Sequence, residues 1–330
     1  MVQHSELGNL TTTTVYPATA FQAVVTNPRG FVTTTSYQAW DTPTTDFPVL
    51  IAQMTDIHIG FDPEEKPEEY NRIRFRAVLE RLADSANPID MLVLSGDLTD
   101  RGDRESFQKT AALLEVLPFP IYAMVGNHDT REELWLAFPD TPDNGGFVQY
   151  AIESDGLRIV FLDTLEPGRH GGAFCEARAE WLAAELAAHP DSPTLIFMHH
   201  PPVVSGVDWM DPAPREDWIQ RFAGAIAGHN QIVAIHCGHL HRPLMATFRG
   251  IPLGVTPSVA PLVAMDLRPV DPATPDGRDL ITTEAPTYAL HRWADGNLVS
   301  HYERVDDWHV LASYTPHLQA MIKEMFAERE

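Results

Sequence analysis

Cysteine is nearly absent from this chain of 330 residues, where only Cys175 and Cys237 occur. Two cysteines cannot build the disulfide framework of a small secreted scaffold. Cys237 closes the apolar run 232–237 and reads as a buried strand residue. A reducing cytoplasm is the expected location. Basic residues are also scarce, with 23 Lys and Arg against 46 Asp and Glu and a formal net charge of −23. So acidic a chain repels nucleic-acid polymers and anionic membrane surfaces. No basic start followed by an apolar stretch marks a secretory leader. No run is long and apolar enough to cross a bilayer. Also missing are a Gly-x-Ser-x-Gly nucleophile turn and a Gly-x-x-x-x-Gly-Lys-Ser/Thr phosphate loop, which removes two common routes to ester and phosphate chemistry.

What is present is 44% hydrophobic residues, enough for a sizeable core. Residues 1–47 stand apart as a Thr-rich extension with no Lys and only Arg29. Its Val, Phe, Tyr and Thr favour strands, and Asn27-Pro28-Arg29-Gly30 suits a turn, so either a hairpin packed on the main domain or on a partner subunit, or a disordered arm, is expected there. From residue 48 to 310, short apolar runs alternate with helical patterns. The runs are 49–55, 91–95, 121–125, 159–162, 195–198 and 232–237. Helices are expected over 69–84, 131–138 and 215–228, and around Phe107–Leu117 and Trp181–Leu186. This alternation is that of an α/β fold with a largely parallel core sheet. After residue 243 the pattern turns strand-like, residues 266–284 read as a loop, and 311–330 form a tail with a terminal helix.

Five polar clusters follow the apolar runs almost without a gap. They are Asp56-Ile57-His58, Gly96-Asp97, Gly126-Asn127-His128-Asp129, His199-His200-Pro201 and Gly238-His239-Leu240-His241. Strand carboxyl ends are where open α/β sheets bind ligands, so these groups are expected to meet in one crevice. In an extended segment residues i and i+2 point the same way. Asp56 with His58, and His239 with His241, are therefore each expected to grip one ion together. Gly96, Gly126 and Gly238 allow close backbone approach beside them. A mixed oxygen and imidazole set suits Zn, Mn, Fe or Co. Seven candidate donors, Asp56, His58, Asp97, Asn127, His199, His239 and His241, exceed one tetrahedral ion and suit a bridged pair of divalent ions.

In its order of motifs the chain resembles the calcineurin-like metallophosphoesterases, over roughly residues 50–245. That resemblance implies a four-layer αββα sandwich of two mixed sheets flanked by helices. It implies one metal on Asp56, His58, Asp97 and His241, and a second on Asp97, Asn127, His199 and His239. His128 would face the substrate and stabilise or protonate the leaving oxygen, with Asp129 orienting it. The His-x-Pro pattern selects His199 as ligand and leaves His200 as an outer or substrate contact. The reaction implied is in-line attack on phosphorus by a metal-activated water.

Gly156–Thr164, Pro167–Gly172 and Phe197–Pro202 are similar to the bacterial class III cyclic-nucleotide phosphodiesterases and to glycerophosphodiesterases. The expected partner is thus a small phosphodiester, with 3′,5′-cyclic nucleotides leading and glycerophosphodiesters or a broad range of esters as the alternative. Relatives of this kind assemble as homo-oligomers, so a dimer or larger assembly is expected. Asn127, His128, His200, Arg169 and His170 are the expected substrate contacts. Arg72, Arg74 and Arg76 read as a solvated helix face, and Trp209 and Met210 as either pocket lining or packing.

Overall fold

The computed structural model describes residues 48–61, 70–213 and 215–329, and of residues 1–47 only the backbone of four strands. The chain divides into two units, Met1–Thr45 and Asp46–Glu330. In the first, β1 (Val2–Leu7), β2 (Leu10–Val15), β3 (Ala20–Thr26) and β4 (Val32–Gln38) pair antiparallel in that order. That is two strands more than a single hairpin. The expected turn at 27–30 lies outside the described residues.

The second unit runs β5 (Val49–Met54), α1 (Tyr70–Ala83), β6 (Met91–Ser95), α2 (Arg104–Leu114), β7 (Ile121–Met124) and α3 (Arg131–Ala137). It continues with β8 (Tyr150–Ser154), β9 (Leu157–Leu162), α4 (Glu176–Ala188), β10 (Thr194–Met198), α5 (Asp217–Ala225) and β11 (Ile232–Cys237). Then come β12 (Leu244–Phe248), β13 (Ile251–Val255), β14 (Leu262–Val263), β15 (Ile281–Thr282), β16 (Thr287–Ala294), β17 (Asn297–Arg304) and α6 (Gln319–Ala327). None of its helices is long and apolar enough to cross a membrane.

Apart from the small antiparallel pair β14-β15, the strands form two mixed sheets where the alternation of elements suggested one. The first has the order β17-β16-β5-β6-β7, and the second β12-β13-β11-β10-β9-β8. In the second sheet parallel pairs fill the centre and antiparallel strands finish both edges, while in the first β5, β6 and β7 run parallel and antiparallel β16 and β17 complete one side. Side chains alternate across each strand. Ile159 and Phe161 of β9 therefore enter the core shared with β5, β6 and β7, while Val160 and Leu162 face the other way with Leu182, Leu186 and Phe222 of α4 and α5. Phe75, Val78 and Phe107 of α1 and α2 close the far side of the first sheet. Helices, sheet, sheet, helices is the expected sandwich. Burial of both strand faces explains why the runs read as unbroken apolar stretches.

A buried polar knot pins the end of β9. Asp163 is fully buried and accepts hydrogen bonds from Arg131 Nε at 2.6 Å, Val148 N at 2.9 Å and Leu165 N at 3.0 Å. Arg178 Nη1 also donates to the Asp163 backbone oxygen at 3.1 Å. With this carboxylate satisfied, Thr164 is held where it meets the site described next.

Candidate active site

The carboxyl ends of β5 and β6 are laced together. Asp56 N donates to Gly96 O, and Ile57 N and His58 N both donate to Asp97 O. Gly238 N donates to His199 O, and His239 N reaches the Asp56 carboxylate at 2.9 Å, which draws the β10 and β11 ends to the same place. The seven donors proposed from sequence gather at one cleft. Asp56 and His199 lie at its fully buried floor, and the other five line it.

The ligand-bearing loops are not extended. Asp56, His58, Asp97, His239 and His241 all have φ between 51° and 69°, the left-handed region, and not extended backbone. Non-glycine residues there carry strain of order 1–3 kcal/mol each, which surrounding structure must hold in place. Asp56 and His58 still converge, together with His241. His239 does not share their cluster; it groups with His199 and His200. Two glycines make the close approach possible. A Cβ on Gly126 would lie 2.2 Å from Asp97 Oδ1, and one on Gly238 would lie 2.0 Å from Thr55 Oγ1.

The imidazoles share one orientation. Nδ1 of His199 donates to Ser95 O at 2.9 Å, that of His241 to Pro261 O at 2.8 Å, and that of His128 to Asp100 O at 2.8 Å. His58 Nδ1 lies 3.4 Å from an Asp100 carboxylate oxygen. Such outward hydrogen bonds fix the tautomer and turn the Nε2 lone pair inward. Inside, His58 Nε2 and His241 Nε2 face each other at 3.2 Å. His199 Nε2 is buried with no hydrogen-bond partner and lies 3.2 Å from Asp97 Oδ2. The same Asp97 oxygen is 3.6 Å from His58 Nε2. Opposed lone pairs around two buried carboxylates make a donor set that calls for cations, since buried charge without a counter-ion is costly.

The charges agree. Burial acts to raise both aspartates, but His241 and His199 hold Asp56 down at about 2, and His199 and His58 hold Asp97 well below the usual carboxylate range. Burial acts to lower His199, yet Asp97 and Asp56 bring it up to about 9, so a divalent ion bound there would take the place of the Nε2 proton. His239 is pushed down to about 3 by burial and by His199, so it stays neutral with a lone pair to give.

Two expected roles change, and a third is narrowed. Asp129 does not touch the His128 ring. Its carboxylate accepts from Leu98 N, Thr99 N, Thr99 Oγ1 and Gly126 N, and so ties the Asp97 loop to the Asn127 loop. Burial and the nearby Asp97 raise it to about 6. Asp100, absent from the sequence reading, is what orients His128. His200 is buried with both ring nitrogens engaged, Nδ1 by Thr164 Oγ1 at 2.8 Å and Nε2 by Asn127 Oδ1 at 3.2 Å and His170 O at 3.1 Å. It steadies Asn127 from the lining of the cleft, which is the outer of its two expected roles. Arg74 is not solvated. It is buried and donates to the carbonyls of Val259, Ala260 and Glu284, next to the Pro261 carbonyl that holds His241. Asn71, also missed, donates to His58 O at 3.0 Å. Arg169 and His170 line the cleft as expected, and Trp209 and Met210 are part of its wall.

Residues 49–243 match the family model of the calcineurin-like phosphoesterases. The chain belongs to that family. As a calcineurin-like phosphoesterase it is a metal-dependent hydrolase, and its donor set fits that requirement on its own chemistry. The chain is similar to a probable cyclic nucleotide phosphodiesterase of Rhodopseudomonas palustris, 33% identical over 276 residues, covering 76% of this chain and 96% of the relative. It is also similar to a probable glycerophosphodiester phosphodiesterase of Arcobacter nitrofigilis, 29% identical over 253 residues, covering 75% of this chain and 89% of the relative. Among solved structures, a dimetal phosphatase from Danio rerio aligns with a TM-score of 0.56 at 14% identity, over 78% of this chain and 97% of that one, a likeness of fold.

Proposed function

We propose that this calcineurin-like phosphoesterase is a two-metal phosphodiesterase acting on small diesters, with 3′,5′-cyclic nucleotides as substrates. The observation that carries the reading is the position of Asp97 Oδ2 between His58 Nε2 and His199 Nε2, at 3.6 and 3.2 Å. A carboxylate so placed bridges two donor sets. One ion would be held by Asp56, His58, Asp97 and His241, and the other by Asp97, Asn127, His199 and His239. Divalent ions at these positions supply Lewis acidity and lower the pKa of water toward neutrality.

The chain's own groups do the rest. His128 stands at the half-buried mouth, its Nδ1 hydrogen on Asp100 O and the Asp100 carboxylate 4.0 Å away. As an imidazolium it presents Nε2–H to the leaving oxygen, and after giving that proton it keeps Nδ1–H on Asp100. Asp129 and Asp100 keep the Asp97 and Asn127 loops in register. The names of the relatives from R. palustris and A. nitrofigilis both support a diester. The second of them favours glycerophosphodiesters as the alternative.

The test is a substrate panel of cyclic AMP, glycerophosphocholine and bis-p-nitrophenyl phosphate, with and without chelator. Hydrolysis of cyclic AMP that the chelator abolishes is the expected result. Absence of chelator-sensitive hydrolysis of any diester would end the proposal.

A further inference from the structure

We infer that Trp209 and Met210 form a stacking shelf for the nucleobase of the substrate, which rests on the phosphodiesterase reading above. The cleft has a volume of about 670 Å³. That lies in the range of about 300–1,000 Å³ filled by ligands the size of a nucleotide and leaves room well beyond a phosphate. Besides the histidines, the lining of the cleft includes the apolar side chains of Trp209, Met210, Pro212, Val263 and Ile281.

Trp209 is 40% exposed, although an indole is a large apolar surface that folding normally hides. Its loop is not loose. The Asp211 carboxylate accepts from Ser205 N at 2.7 Å, Ser205 Oγ at 2.5 Å and Gly206 N at 2.8 Å, and Met210 N closes onto Val207 O. Asp208 accepts from Val270 N at 2.7 Å, which braces the tip. A ring held on display by so many bonds is set for a partner from solvent, at little ordering cost on binding.

His170 lies beside His128, ring centroids 5.8 Å apart, and its loop is fastened through His170 O to His200. Trp209 lines the same cleft. The oxygen released when a cyclic nucleotide opens stays on the nucleoside, so phosphate and base occupy this one cleft together.

A cationic head group could also stack on an indole. Arg169 lines the same cleft, 3.9 Å from Glu216, whose carboxylate also accepts from Trp218 Nε1 at 2.8 Å and Ala213 N at 3.2 Å. Comparing cyclic AMP with glycerophosphoethanolamine separates a nucleobase from an ammonium.

The experiment compares wild type, Trp209→Ala and Trp209→Phe, all metal-loaded. Base–aromatic stacking is worth about tenfold or more in affinity. The ratio of kcat/KM for cyclic AMP over glycerophosphoethanolamine should fall by about that factor in Trp209→Ala, through KM, and recover in Trp209→Phe. An unchanged ratio overturns the shelf, and so does a loss confined to glycerophosphocholine. Calorimetric affinities for AMP and glycerol 3-phosphate give a second arm independent of turnover. If wild type cleaves no diester, the function proposed above falls, while an AMP affinity reduced relative to glycerol 3-phosphate in Trp209→Ala still supports the shelf and an unreduced one overturns it.

Discussion

Acid should destabilise this protein through a pair of histidines that take no part in the site. His236 and His291 are buried between the sheets with their ring centroids 3.9 Å apart. His291 Nε2 lies 2.9 Å from Gln53 Oε1, and its Nδ1 lies 2.8 Å from Ser300 Oγ. His236 Nδ1 has no partner. Burial lowers His236 to about 4, and burial with the neighbouring His236 and His301 pushes His291 well down.

Above pH 6.5 both rings are neutral in the folded and the unfolded chain, and nothing is lost. As pH falls below 6.5, the unfolded chain takes up protons that the fold refuses, so stability drops until about pH 4. For His236 the fall from 6.5 to about 4 is worth about 3 kcal/mol, at ~1.36 kcal/mol per pH unit. Urea unfolding of chelator-treated protein from pH 8 to 4 measures this, with His236→Gln as the comparison. Whatever its stability at pH 8, the variant should lose about 3 kcal/mol less than wild type on the way to pH 4. Stability curves that run parallel would refute the reasoning.

His128→Ala should cut turnover by about 10²–10⁴-fold while bound metal, read by elemental analysis, stays at the wild-type level. Asp163→Ala removes the partner of Arg131 and Arg178 and should cost about 3–5 kcal/mol in denaturant unfolding. A loss under 1 kcal/mol would mean that the two guanidinium groups find other acceptors.

Much of this was readable because β5, β6, β10 and β11 are buried on both faces. Their apolar runs end abruptly, and the polar clusters begin where the runs stop. The division into two sheets came from the resemblance of the motifs and not from the apolar runs, because a buried strand carries no mark of which sheet it joins. Asp100 and Asn71 escaped because their roles depend on approach across the fold, 58 to 100 and 58 to 71, with no periodicity to announce it. Arg74 misled because its neighbours Ile73 and Arg76 are exposed, and only the carbonyls of Val259, Ala260 and Glu284 explain why it is not. The spacing of Asp56 and His58 pointed to the right pair for the wrong reason. Both residues sit in left-handed backbone and not in the extended geometry that an i, i+2 spacing implies.

Metal stoichiometry of the purified protein beside Asp97→Ala bears most directly on the account. Two divalent ions per chain in wild type, and loss of both ions and of diester hydrolysis in the variant, are the predicted result. An Asp97→Ala protein that keeps both ions and full activity would contradict it.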